Sequence, residues 1–161
     1  MDNLIGWMDN PDVTMYLNED HALRRNLTQL LRSVPAPLLT FRFNEFGKFF
    51  IVCLGKNQSI GFVKLQEIDK GVYEIVYVIG EESLWGRGYG KSALSSALKT
   101  AFFTLRAKKV VAKTYPENTR SVRSALSCGF VCTCNDSRLH TYIILANDFF
   151  DRRKNKLTPD T

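Results

Sequence analysis

The segment of this chain whose residue types most directly suggest chemistry is Trp85-Gly86-Arg87-Gly88-Tyr89-Gly90-Lys91-Ser92. Three glycines alternate just before a long helical pattern, so the backbone can turn tightly and approach a ligand closely. The first amides of a helix have no intrahelical acceptor, and the positive end of the helix dipole stands behind them. A pyrophosphate fits such an end, and Arg87 and Lys91 add point charges beside it. Spacing excludes two common nucleotide loops. The Walker pattern needs a glycine at position 85, where this chain has Trp85. The dinucleotide pattern needs two residues between its second and third glycines, and Gly88 and Gly90 have one.

The charge distribution points the same way. The chain has 161 residues, a mass of 18.4 kDa and a formal net charge of +6. Between Gly86 and Leu126 lie nine basic residues and one acid, Glu117, so this window carries +8 and the rest sums to −2. A basic excess spread over a surface would suggest nucleic acid. An excess gathered around one glycine-rich loop suggests a phosphate site instead, and no nucleic-acid partner is expected.

Cys53, Cys128, Cys132 and Cys134 follow no common zinc spacing, and His140 alone lies near the last three. They are expected to be reduced packing residues, and no metal is expected. His21 and His140 lack a partner pattern and are read as structural. The longest apolar runs fall far short of the ~20 residues that a membrane helix needs. MDNLIGWMDN has acids where a signal peptide would carry basic residues. A soluble, cytoplasmic protein without a membrane partner is the expectation.

The elements that must position the loop are legible in the periodicity. Residues 1–33 read as helical, with Leu4, Trp7 and Met8 in one apolar cluster and Leu23, Leu27, Leu30 and Leu31 in another. Asp12 and Asn18 are the expected caps on either side of Pro11. Gly47–Leu54, Ile60–Glu67 and Tyr73–Ile79, separated by short turns, read as an antiparallel meander. A long amphipathic helix follows the loop, burying Ala93, Leu94, Ala97, Leu98, Ala101, Phe102 and Leu105. Lys109–Thr114 then reads as a strand parallel to the one before the helix. Asn118 is the expected cap of a second helix that stops at Gly129. Phe130–Cys134 and His140–Ala146 close the fold as a hairpin, and the polar end of the chain is expected to be disordered. Antiparallel hairpins with one strand–helix–strand crossover make an α+β domain. One domain over residues 1–148, with a tail over 149–161, is the expected organisation.

The loop resembles the acetyl-coenzyme A loop of the GNAT superfamily of N-acetyltransferases, Gln/Arg-x-x-Gly-x-Gly/Ala followed by a helix. Trp85 replaces the first position, a variant found in the branch that resembles ribosomal-protein and related amine N-acetyltransferases (RimJ/RimL-like). Three further pieces are similar to that branch and stand in its order: Trp7-Met-Asp-Asn-Pro-Asp-Val, Tyr73-Glu74-Ile75, and Asn118-Thr-Arg-Ser121 followed by Gly129-Phe130. The likeness spans residues ~7 to ~147.

The resemblance implies a GNAT fold: a mixed, mostly antiparallel sheet with a central splayed parallel strand pair, flanked by helices. Acetyl-coenzyme A would lie in the splay. The backbones of Tyr77, Val78 and Ile79 would bond its pantetheine arm, and the amides of Arg87, Gly88, Tyr89, Gly90, Lys91 and Ser92 would hold its pyrophosphate. Asn118 and Ser121 would also meet the pantetheine arm, although Asn118 has a plain reading as a helix cap. Glu74, where related enzymes place a carboxylate, is the candidate base for the amine, and the N–H of Val78 a candidate donor to the thioester oxyanion. Many members have a tyrosine where this chain has Ala125, leaving Ser121, Ser124 and Tyr115 as candidates to protonate the thiolate. Tyr89 is read as packing.

The implied activity is transfer of acetyl from acetyl-coenzyme A to a primary amine, a protein N-terminus or a small amine, by direct attack. The alternatives are a polyamine or antibiotic acetyltransferase and a catalytically silent acyl-coenzyme A-binding module. Glu19, Asp20, Glu45, Glu67 and Asp69 are the acids that would favour a polyamine if they converged. Relatives usually begin with a strand ahead of the Trp7 motif, and the sequence before Trp7 is too short for one. The neighbouring strand Phe49–Leu54 would then be an edge, covered by a homodimer or a folded-over tail segment.

Overall fold

Val72–Ile79 is the strand around which the two halves of the chain divide. The computed structural model describes residues 2–17, 29, 33–35, 38, 41–42, 44–45, 47–56, 58–134 and 138–157. In chain order, the helices α1 (Asp2–Asp9) and α2 (Pro11–Thr14) precede the strands β1 (Gly47–Leu54), β2 (Gln58–Asp69) and β3 (Val72–Ile79). A short 3-10 turn at Glu82–Leu84 leads to α3 (Tyr89–Lys99), which runs on as a π turn over Thr100–Thr104. Then follow β4 (Lys109–Thr114), α4 (Thr119–Cys128), β5 (Val131–Cys134), β6 (His140–Leu145) and α5 (Ala146–Leu157).

The six strands among the described residues form one sheet in the order β1-β2-β3-β4-β6-β5. Every pairing is antiparallel except β3 with β4. This is the expected α+β architecture with its central parallel pair. The crossover between those two strands is α3, whose buried face is the one read from the sequence, Ala93, Leu94, Ala97 and Leu98. It packs with Leu65, Ile75, Val110 and Ile144 to form the larger core. Leu94 is fully buried there, so its truncation to alanine should cost about 2–5 kcal/mol.

The opposite face of the sheet carries a second core. Leu4, Trp7, Met8 and Val13 from α1 and α2 pack on Phe62 and Val78. Two side-chain bonds fasten these helices to the segment after β3: Trp7 Nε1 donates to Glu81 (3.2 Å), and Asn10 Nδ2 to Glu82 (2.8 Å). A Cβ added at Gly80 would overlap the Trp7 indole, so only glycine admits this approach.

Several expectations need correction. The cap of α2 is Asn10, which accepts from Asp12 N at 2.9 Å with Pro11 in the first helical turn; Asp12 is not a cap. Asn18, His21 and the cluster Leu23, Leu27, Leu30 and Leu31 lie outside the described residues. The end of the chain is not a disordered tail up to Leu157. Helix α5 crosses residue 148, because Phe149 is buried against Phe102 with ring centroids 4.7 Å apart. Asp151, Arg152, Lys154 and Asn155 are exposed, so the polar composition there reflects the outer face of a helix anchored by two aromatics. Cys128 and Cys132 pack beside the larger core, but Cys53 is exposed. β1 lies at one edge of the sheet, with Ile51 46% exposed.

Candidate functional site

β3 and β4 stay together for three residues only. Their register pairs Val72, Tyr73 and Glu74 with Lys109, Val110 and Val111. Beyond that point β4 continues against β6 as far as Thr114, and β3 continues against β2 as far as Ile79. The two strands therefore diverge, and the side of β3 that faced β4 becomes a free edge lining a cleft of about 420 Å³.

Which backbone groups face this cleft follows from strand alternation. Gly80 N donates to Ile60 O on β2, and β2 and β3 run without a register break from there to Tyr73. Residues two apart direct their amides to the same side, so Val78 points its main chain at β2. Its carbonyl lies where a Cβ on Gly61 would stand. Tyr77 and Ile79 are left to face the cleft. Of these, the Ile79 carbonyl is already taken by Trp85 Nε1 at 2.6 Å. Val78 lines the cleft but is not a backbone donor into it, which displaces it from both roles expected for it.

The mouth of the cleft is the N-terminus of α3. Gly88 stands at the cap position with φ +86° and no side-chain cap bond, and the helix ladder starts with Ser92 N to Gly88 O. The amides of Tyr89, Gly90 and Lys91 thus have no intrahelical acceptor. Among the described residues, and apart from the chain neighbours, no atom lies within 4 Å of where a Cβ on Gly86 or Gly88 would be. Gly88, Tyr89, Gly90 and Lys91 line the cleft; Arg87 and Ser92 are exposed and outside its lining.

The opposite wall is the start of α4. Asn118 caps it by accepting from Ser121 N at 3.2 Å, and both residues line the cleft. The Tyr77 hydroxyl lies 3.0 Å from Ser121 Oγ. Burial raises the phenol's pKa above its ordinary value of 10.0, opposed in part by hydrogen bonds from Ser121 and Ser124. Ala125 is buried in the core. Ser124 reaches the cleft, whereas Tyr115 packs near Tyr16 with centroids 6.3 Å apart.

Glu74 is not part of the cleft's lining. It sits at the point of divergence, 3.2 Å from Lys113 Nζ. Of the acids that were candidates for an acceptor surface, Glu45, Glu67 and Asp69 do not line the cleft. Glu45 pairs with Arg42, Glu67 accepts from Gly71 N and Asp69 from Lys70 N, while Glu19 and Asp20 lie outside the described residues. The acid that lines the cleft among the described residues is Asp12, the residue expected as a cap. Lys91, Arg120 and Arg123 also line it, and none has a carboxylate partner among the described residues. Arg120 lies 3.9 Å over the Trp85 ring. Among the described residues no group of three or more His, Cys, Asp or Glu could hold a metal ion, and no helix is long and apolar enough to cross a membrane.

A splayed strand pair with an uncapped helix at its mouth defines a class of fold, and comparison with known proteins identifies the family. Residues 1–131 match the acetyltransferase (GNAT) domain, and the chain belongs to that family. A Bacillus licheniformis protein named uncharacterized N-acetyltransferase p20 is 27% identical over 135 residues, covering 80% of this chain and 72% of that one. Among solved structures, spermidine N-acetyltransferase from Vibrio cholerae in complex with coenzyme A and spermine superposes with a TM-score of 0.73. It is 21% identical, over 91% of this chain and 90% of that one. A GNAT-family acetyltransferase from Bacillus anthracis gives 0.68 at 21% identity, over 91% and 89%. The protein is an acetyltransferase, and acetyl-coenzyme A is its cosubstrate.

Proposed function

We propose that this protein transfers acetyl from acetyl-coenzyme A to a primary amine by direct attack, using a single acetyltransferase domain. The observation that carries the reading is the free edge of β3 beyond Glu74, opening beside the uncapped end of α3. An extended pantetheine arm can pair with that edge as an added strand through Tyr77 and Ile79. The amides of Tyr89, Gly90 and Lys91 meet the pyrophosphate, with Arg87 and Ser92 at the periphery. Asn118 and Ser121 complete the wall opposite. The order of the four motifs supports membership of the branch that resembles ribosomal-protein and related amine N-acetyltransferases, working in the cytoplasm.

The amine must arrive neutral. Glu74, held by Lys113 at the foot of the splay, accepts its proton through water. Nitrogen attacks the thioester carbonyl, the C–N bond forms, and the oxygen becomes anionic beside the Tyr77 N–H. The C–S bond then breaks, the electron pair leaves with sulfur, and a proton returns to the thiolate. Ser121 and Ser124, which line the cleft, are the hydroxyls assigned to supply it, with the Tyr77 phenol bonded to Ser121.

A polyamine acceptor is favoured by one specific observation, the Asp12 carboxylate in the cleft wall, and by the likeness to a spermidine N-acetyltransferase. The test is thiol release from acetyl-coenzyme A in the presence of spermidine, spermine, aminoglycosides and short peptides with free N-termini. Release with one class names the acceptor. Binding of acetyl-coenzyme A without release for any amine would make the protein a silent acyl-coenzyme A module.

A further inference from the structure

We propose that Arg120, held on the face of Trp85, is the residue that reads the phosphate groups of the donor with its free in-plane N–H donors when coenzyme A binds. The proposal rests on the acetyl-coenzyme A reading above.

The two residues come from opposite walls of the cleft. Trp85 lies in the segment between β3 and α3, and Arg120 in the first turn of α4. Their stack, at 3.9 Å, therefore bridges the mouth. Only one side of it is anchored. The Trp85 indole is fixed by its 2.6 Å bond to the Ile79 carbonyl, so the ring is a rigid platform. Arg120 has no carboxylate partner among the described residues. Contact with a ring uses the face of a guanidinium and leaves its in-plane N–H donors free. Those donors form the fork that matches phosphate oxygens in pairs.

Arg120 stands among mostly positive neighbours, with Asp12 as the acid in the cleft's lining. It stands in the first turn of α4, which holds no acid, and a cation at a helix N-terminus opposes the dipole. Across the cleft, the uncapped end of α3 is a second positive pole, and Lys91 and Arg123 add two more cations. Phosphate is the chemistry that neutralises two helix ends and three cations together. Among the described residues Lys91 and Arg123 have no such platform, and Arg120 is the cation of the three that is pre-oriented with its planar fork across the gap.

The test uses the full chain as wild type, Arg120→Ala and Arg120→Lys, all confirmed folded by their thermal melts. Calorimetry measures affinity for coenzyme A and for dephospho-coenzyme A, which lacks the 3′-phosphate. Pantetheine, which has no phosphate, is read by competition with coenzyme A. Trp85 emission is followed as the difference between the wild type and Trp85→Phe. Coenzyme A should change Trp85 emission in the wild type and leave it unchanged in Arg120→Ala. Arg120→Ala should weaken coenzyme A at least tenfold, Arg120→Lys should recover part of that loss, and pantetheine affinity should not move. A loss that persists with dephospho-coenzyme A assigns Arg120 to the pyrophosphate; one that disappears assigns it to the 3′-phosphate. Arg120→Ala affinity within twofold of wild type, or an equal loss for pantetheine, overturns the proposal. A wild type that binds no coenzyme A overturns the donor reading itself.

Discussion

The phenol oxygen of Tyr77 lies 3.0 Å from Ser121 Oγ and 3.3 Å from the Ser121 carbonyl. It joins the free edge strand to the first turn of α4. The bond spans the floor of the cleft where no main-chain pairing holds the two sides together, so it limits how far the splay can open. The same ring passes close under Gly90, 3.4 Å from where a Cβ there would stand, and so supports both helix ends at once.

Tyr77→Phe should cost about 1 kcal/mol, the usual net worth of a hydrogen bond. It should also change the pH dependence of stability. Burial raises the folded-state pKa of the phenol above 10.0, so the folded protein keeps a proton that the unfolded chain releases. That contribution is complete below the unfolded value and is lost as pH rises through the folded one. Urea melts between roughly pH 8 and pH 11 should show wild-type stability falling at the alkaline end, with a shallower fall in the variant. Tyr73 and Tyr142 are raised in the same direction, so some slope should remain. Parallel slopes in the two proteins would show that Tyr77 adds nothing.

Gly88→Val should weaken coenzyme A at least tenfold, or about 1.4 kcal/mol. The reason is backbone strain more than crowding. Apart from the chain neighbours, no atom of the described residues lies within 4 Å of the new Cβ, but φ is +86°, a region that β-branched residues avoid. Relief of the strain would turn the loop and misdirect the amides of α3. Calorimetry giving wild-type affinity in a folded variant would remove this loop from the donor site.

For Glu74→Gln the expected result is a slower acetylation rate with nearly unchanged affinity for acetyl-coenzyme A, since Glu74 stands outside the cleft's lining. The loss should be largest at low pH, where free amine is scarce. A pH–rate profile that overlays the wild type would leave Glu74 as only the partner of Lys113.

Gly80→Ala probes the seam between the second core and the segment leading to the loop. Its methyl would overlap the Trp7 ring, and overpacking of this kind costs about 1–3 kcal/mol. A thermal melt should shift down accordingly, and coenzyme A affinity should fall with it if the Trp7–Glu81 bond helps to set the loop. An unchanged melting temperature would show that Trp7 moves aside freely.

The amino-acid sequence by itself determined what is local. Period-two runs marked the meander, and the period of α3 named its buried face. Alternating glycines marked the turn that leads into α3, and Asn118 and Gly129 bounded α4. These signals survive because each depends on residues within a few positions of one another. Tertiary structure alone decided the rest. That β3 and β4 part after Glu74 depends on how far they pair, and the register of β3 on β2 sets whether Tyr77 or Val78 faces the cleft; a reading of one strand can supply neither. Asp12, Trp85 with Arg120, and Tyr77 with Ser121 are partners or neighbours brought together from distant positions, and no spacing rule predicts which cation meets which ring. The polar end of the chain read as tail because Phe149 finds its pocket only when Phe102 and Phe103 are already in place. Burial of that kind is a property of the packed core, not of the segment that enters it.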